Sequence, residues 1–167
     1  MNSKKIINEL KKISSKFLDI EHMIVYSYLK MNNVASEKSM FFREYFTEVN
    51  MNLCIEAQSL LSSLLSFELE QLVELFEFLI PEKSKKENGV VYTPEMIRKH
   101  IVDSAFRTKT PPVVLDPACG CGAFLVTAAK RIHEKYNLKY REIYKKNIFG
   151  VDIDKEAIRK TKILLEL

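Results

Sequence analysis

The sequence predicts an α/β protein in two parts: an all-α helical bundle, then the start of an open domain with an incomplete parallel sheet. Three observations carry this prediction. All four glycines, Gly89, Gly120, Gly122 and Gly150, lie after residue 88. The stretch before them repeats apolar residues at helical intervals. The stretch after them holds two short apolar runs, 113–116 and 148–154, that end in carboxylates and suit strands buried on both faces of a parallel sheet.

At 167 residues, 47% hydrophobic and 29% charged, the chain has the composition of an ordinary globular protein. A chain this long hides roughly 70% of its unfolded surface, so it needs neither a disulfide framework nor a structural metal to stay folded. It contains no apolar run long enough for a signal peptide or a membrane span, and a cytoplasmic location is expected. Three cysteines, Cys54, Cys119 and Cys121, form no disulfide pattern, and no histidine stands at ligand spacing from the last two, so no metal site is expected. The net charge of +4 is unevenly placed: residues 1–88 carry 11 Lys/Arg against 13 Asp/Glu, and residues 89–167 carry 15 against 9. A basic second part is compatible with a polyanion such as nucleic acid, and equally with solvated helix faces.

From Ile6 the apolar positions step through Leu10, Ile13, Phe17, Ile20 and Ile24, which predicts one helix to about Met31, ended near Asn32 and Asn33. A second stripe runs through Phe41, Phe42, Tyr45, Phe46 and Val49. A third takes Leu53, Ala57, Leu60, Leu61 and Leu64, and a fourth takes Leu69, Leu72, Val73, Phe76 and Leu79 up to Pro81. These stripes fit a bundle burying its own faces better than a docking surface, with Cys54 as a small buried hydrophobe and His22 as an ordinary helix residue. Residues 82–88 have no apolar side chain, so we divide the chain into a helical domain (1–82), a linker (83–88) and a second domain (89–167).

Thr93-Pro94 predicts a helix start, threonine as cap and proline in the first turn, with Ile97, Ile101, Val102 and Ala105 on the inner face. The first strand, ending at Asp116, turns through Pro117, Ala118, Cys119, Gly120, Cys121 and Gly122 into a helix with Phe124, Leu125, Ala128, Ala129 and Ile132 inward. Strand, glycine turn and helix form the ligand cradle of open α/β folds, where backbone N–H groups at the helix start favour an anionic group. Leu125 stands where a dinucleotide fold has its third glycine, which disfavours NAD. The second strand ends at Asp152, placed to accept hydrogen bonds from ribose hydroxyls, while Asp154 is expected to cap the last helix. His100 and His133 fall on expected helices and are assigned no role.

In three ordered stretches the chain resembles the S-adenosylmethionine-dependent DNA methyltransferases that modify the exocyclic amine of adenine, enzymes of the restriction-modification type. Residues 89–94 (Gly-Val-Val-Tyr-Thr-Pro) resemble the family's N-terminal cofactor motif. Residues 116–125 resemble its Asp-Pro-x-x-Gly-x-Gly-x-Phe-Leu loop, and residues 150–154 resemble its ribose-binding strand end. The resemblance covers 89 to about 160 and implies a Rossmann-like domain with S-adenosylmethionine as cofactor and DNA as partner. It implies Tyr92 and Thr93 near the methionine end, Asp116 toward the amino group, and the turn from Pro117, Ala118 and Cys119 to Gly120 and Gly122, with Phe124, around the cofactor. Asp152 is implied to hold the ribose, and Ile153 to lie on the adenine ring. Cys121 replaces the small residue usual there, which matters little where backbone makes the contacts.

The family's catalytic Asn/Asp-Pro-Pro-aromatic motif, which faces a flipped base, is absent; Thr110-Pro111-Pro112-Val113 shares only the double proline. No catalytic residue is therefore assigned. The expectation is an incomplete, singly inactive portion of the enzyme, its open sheet edge covered by its own N-terminal helices, another copy or a partner subunit. A non-catalytic interaction module with a scaffold α/β half, or a portion of a protein or RNA methyltransferase, fits the same residues; Tyr92-Thr93-Pro94 favours DNA.

Overall fold

The computed structural model describes residues 3–64, 66–80 and 92–167. The expected linker, 83–88, and the first three residues of the N-terminal motif lie outside them. The chain forms two compact units, Met1–Val90 and Val91–Leu167.

The first unit contains α1 (Ser3–Ile13), α2 (Phe17–Met31), a 3-10 turn (Ser36–Lys38), α3 (Met40–Tyr45), α4 (Met51–Leu64) and α5 (Leu69–Leu79). The single helix expected up to Met31 is two helices. The Ser14 hydroxyl donates to Asp19 Oδ2 at 2.6 Å and accepts the Lys16 N–H at 3.2 Å, so a local side-chain bond replaces helical pairing where the apolar seam alone reads as continuous. The second stripe also stops early, at Tyr45 rather than Val49, because Asn50 opens α4 by accepting the Asn52 N–H on its side chain (3.2 Å). Helix α2 packs against α4 and α5, and α1 packs against α5. Leu10, Ile20, Ile24, Cys54, Ala57, Leu61, Leu72 and Phe76 are buried there. His22 is also buried, edge-on to the Tyr45 ring at 4.9 Å.

The second unit runs α6 (Glu95–Ala105), β1 (Val114–Asp116), α7 (Ala123–Tyr136), α8 (Tyr140–Lys146), β2 (Ile148–Gly150) and α9 (Lys155–Glu166). Strands β1 and β2 are parallel neighbours, with Val114, Leu115 and Asp116 opposite Ile148, Phe149 and Gly150. A parallel pair requires a crossover, which α7 and α8 supply. Helix α7 packs on both strands and on α6, α8 and α9. Its Leu125, Ala128, Ala129 and Ile132 form the core with Val102, Cys119, Ile143 and Ile148. Gly150 allows this approach: a Cβ there would stand 2.6 Å from Leu125 Cδ1.

Two expectations for this unit are corrected. The strands are covered on one face only among the described residues, since Leu115 is 62% and Phe149 47% exposed. The α6 stripe is rotated: Arg98 and Val102 are inside, while Ile97, Ile101 and Ala105 are exposed. The Arg98 guanidinium is satisfied there, donating to the Thr93 carbonyl (2.5 Å) and to Thr127 Oγ1 on α7 (3.4 Å), so it buries a charge that a purely apolar pattern assigns to solvent.

Candidate functional site

The site is built at the carboxyl ends of the two parallel strands. Strand β1 delivers Asp116, and the chain turns through 117–122 into α7; β2 delivers Asp152, and the chain turns into α9. Hydrogen bonds join the two turns. The Cys119 N–H donates to the Val151 carbonyl (2.9 Å), the Val151 N–H to the Asp116 carbonyl (2.9 Å), and the Gly120 N–H to Asp152 Oδ2 (2.8 Å). Asp152 Oδ1 takes the Asp154 N–H (2.8 Å), so one carboxylate braces its own turn and the glycine turn together. Asp116 Oδ1 accepts the Ala118 N–H at 3.1 Å, closing the start of the loop. Asp154 caps α9 by accepting the Glu156 N–H at 2.9 Å, as expected.

The glycine turn has a left-handed backbone at Gly120 (φ +53°) and Gly122 (φ +85°), conformations that cost a side-chain-bearing residue about 1 kcal/mol or more. Nothing lies within 4 Å of a Cβ placed on Gly120, so the loop presents bare backbone to open space there. Pro117 and Ala118 are exposed, Cys119 and Gly122 buried, and Gly120 half-buried. Burial pushes the Cys119 thiol up, opposed in smaller part by the neighbouring Thr161 hydroxyl and reinforced by Asp116 and Asp152, so it is held as a neutral thiol. Phe124 is half-buried and packs against the core, while Ile153 is 89% exposed.

Tyr92 and Thr93 are half-buried. Pro94, not Thr93, is the residue at the N-cap of α6, because its extended ψ of 147° places the first helical residue at Glu95. Thr93 instead contributes its carbonyl to Arg98, which reaches Thr127 one turn into α7 and so ties this segment to the helix that follows the glycine loop. Asp116, the 117–122 turn and Asp152 are thus joined by direct hydrogen bonds, whereas Thr93 is linked to them through Arg98 and α7.

The residues present suit a nucleoside-bearing ligand. Each Asp152 oxygen spends one lone pair on a backbone N–H and retains a second that can accept from a hydroxyl. The bare Gly120 backbone permits close approach, and Ile153 offers an apolar surface for a ring. No group of three or more His, Cys, Asp or Glu able to hold a metal ion occurs among the described residues. Two site residues escaped the sequence reading, Arg98 and Thr161. The available signal was position: Thr161 follows Ala157 by four residues on the stripe that α9 buries, where a polar side chain needs a partner.

The geometry is that of an α/β protein whose candidate site residues gather beyond parallel strand ends, and comparison with known proteins gives it a family. Residues 68–167 match the family model described as N-6 DNA Methylase, and the chain belongs to that family. The match begins at Glu68, just ahead of α5 and upstream of the three motifs. The chain is 31% identical over 97 residues to the type II methyltransferase M.VspI of Vibrio sp. (strain 343), covering 58% of this chain and 21% of that protein. It is 35% identical over 95 residues to the type I restriction enzyme MjaIX methylase subunit of Methanocaldococcus jannaschii, covering 57% of this chain and 16% of that protein. Over these matches it spans about a fifth or less of either relative. No solved structure matches the chain.

Proposed function

We propose that the chain is the S-adenosylmethionine-binding portion of a DNA methyltransferase that modifies the exocyclic amine of adenine within a restriction-modification system of the cytoplasm. The observation that carries this reading is the hydrogen-bonded union of the glycine turn and the Asp152 carboxylate beyond two parallel strand ends. Membership of the N-6 DNA Methylase family supports it, as does the order β1, α7, α8, β2, a parallel strand pair joined by a helical crossover, which is compatible with the start of a Rossmann-like sheet. No helix among the described residues is long and apolar enough to cross a membrane.

In this proposal Asp152 accepts from the ribose hydroxyls with its two remaining lone pairs, and Ile153 lies on the adenine ring. The Gly120–Gly122 backbone gives the ligand close approach, Asp116 faces the amino group, and Tyr92 and Thr93 close the methionine end. S-adenosylmethionine, when bound, supplies an electrophilic methyl group. The residues of this chain bind and orient it, and none matches the Asn/Asp-Pro-Pro-aromatic motif that would hold a flipped base, so DNA contact and chemistry belong to segments with that motif.

Calorimetric titration with S-adenosylmethionine tests the reading. The wild type is expected to bind, and Asp152→Ala to weaken binding at least tenfold, the loss of two charge-assisted hydrogen bonds. Absence of heat from a folded wild-type sample overturns the cofactor role. With radiolabelled cofactor and DNA, the chain by itself is expected to transfer no methyl group.

A further inference from the structure

We infer that Thr161, on α9, is a positioning residue for the glycine turn, fixing by its hydroxyl the orientation of the peptide that follows Gly120; the inference rests on the cofactor reading above. Thr161 lies outside the three motifs and is 5% exposed. Its Oγ1 donates to the Gly120 carbonyl at 2.8 Å, while the N–H of the same glycine donates to Asp152 Oδ2 at 2.8 Å. Residue 120 is therefore held from two sides, by an acceptor after β2 and by a donor from the last helix.

The consequence follows from peptide planarity. A trans peptide points its C=O and its N–H in opposite directions, so fixing the Gly120 carbonyl toward α9 fixes the Cys121 N–H away from it. Glycine at 120, with φ +53° and open space around its missing Cβ, does not resist rotation of that peptide by sterics. The Thr161 hydroxyl does so by hydrogen bonding. The same side chain occupies the other glycine of the turn: a Cβ on Gly122 would stand 2.9 Å from Thr161 Oγ1 and 3.0 Å from Cγ2. Helix α9 thus contacts both glycines through one residue, and the turn is set before any ligand arrives, which lowers the cost of ordering it on binding.

The test compares wild type, Thr161→Val and Thr161→Ser in the full chain, using S-adenosylhomocysteine as probe by calorimetry and amide hydrogen exchange at Gly120 and Cys121. Valine keeps the shape and removes the hydroxyl; serine keeps the hydroxyl. Expected are a Kd raised about tenfold in Thr161→Val and within threefold of wild type in Thr161→Ser, with faster exchange at Gly120 in valine only. Thr161→Ala replaces valine if the latter does not fold. Equal Kd values for wild type and the valine variant overturn the positioning role and leave the cofactor reading standing, and a serine variant as weak as valine overturns the assignment to the hydroxyl. If the wild type binds no probe, the cofactor reading and the ligand-positioning role fail together. The exchange data then decide the remaining claim: faster Gly120 exchange in valine alone upholds the fixing of the turn, and unchanged exchange removes it.

Discussion

Cys54, on α4, shows how burial, with a nearby carboxylate, sets the chemistry of a residue. It is 1% exposed, and burial, followed by the nearby Asp19, pushes its thiol up from 9.0 to about 11. The folded state therefore holds the thiol proton more tightly than the unfolded state does. The associated stability is fully present below pH 9 and is lost as pH rises from 9 through about 11. At 1.4 kcal/mol per unit, Cys54→Ala, which has no proton to lose, should fall less steeply than wild type by roughly 1–3 kcal/mol across that window. Denaturant midpoints at pH 8 and pH 11 for both proteins measure it, and parallel losses would show that Cys54 is not the group responsible. At this scale Asp116 and Asp152 were legible in the sequence because a carboxylate ending an apolar run has no packing reason to be there. Thr161 was not, because its value lies in a carbonyl 41 residues away that only the fold supplies.

One residue also sets the register of two elements. Asn147 ends α8, donates from Nδ2 to the Pro112 carbonyl at 2.7 Å, and accepts the Val114 N–H on its own carbonyl at 2.7 Å. It stitches the start of β1 to the entry of β2 and is buried, so removing its amide leaves the Pro112 carbonyl without that donor. Asn147→Ala should cost about 1–3 kcal/mol in urea unfolding and speed amide exchange at Val114; a loss below about 0.5 kcal/mol would mean that the strand pairing is set elsewhere. The positions of the strands were readable from their short apolar runs, although β2 stops at Gly150 and not at the expected Asp152, and so were α4 and α5, whose stripes match their structural spans. What periodicity misread were the places where a polar side chain outcompetes it. Ser14 breaks the first helix, Asn50 opens α4 and so shortens the α3 stripe, and Arg98 turns α6 by bridging Thr93 and Thr127. Each of these depends on a hydrogen-bond partner, and a hydropathy pattern carries no information about partners.

For the molecule as a whole, the uneven cover of the second unit has a measurable consequence. Leu125, on α7, is buried against the strands, whereas Leu115 and Phe149, paired across β1 and β2, and Val151, just beyond β2, are exposed apolar residues. Parallel sheets generally have both faces covered, so this face is the less usual one, and its apolar area contributes little to the stability of the chain by itself. Leu125→Ala should therefore cost about 2–5 kcal/mol, through lost burial and the cavity left behind. Leu115→Ser, on the open face, should change stability by less than about 1 kcal/mol. The face should also bind a hydrophobic dye such as ANS in the native state, and Leu115→Ser combined with Phe149→Ser should reduce that fluorescence at least twofold without lowering the thermal midpoint. Should the double variant unfold as readily as Leu125→Ala, the residues would be packed rather than exposed. If instead the dye signal persists in a variant that stays folded, the apolar surface lies elsewhere, and the exposed α6 residues Met96, Ile97 and Ile101 become the place to measure it.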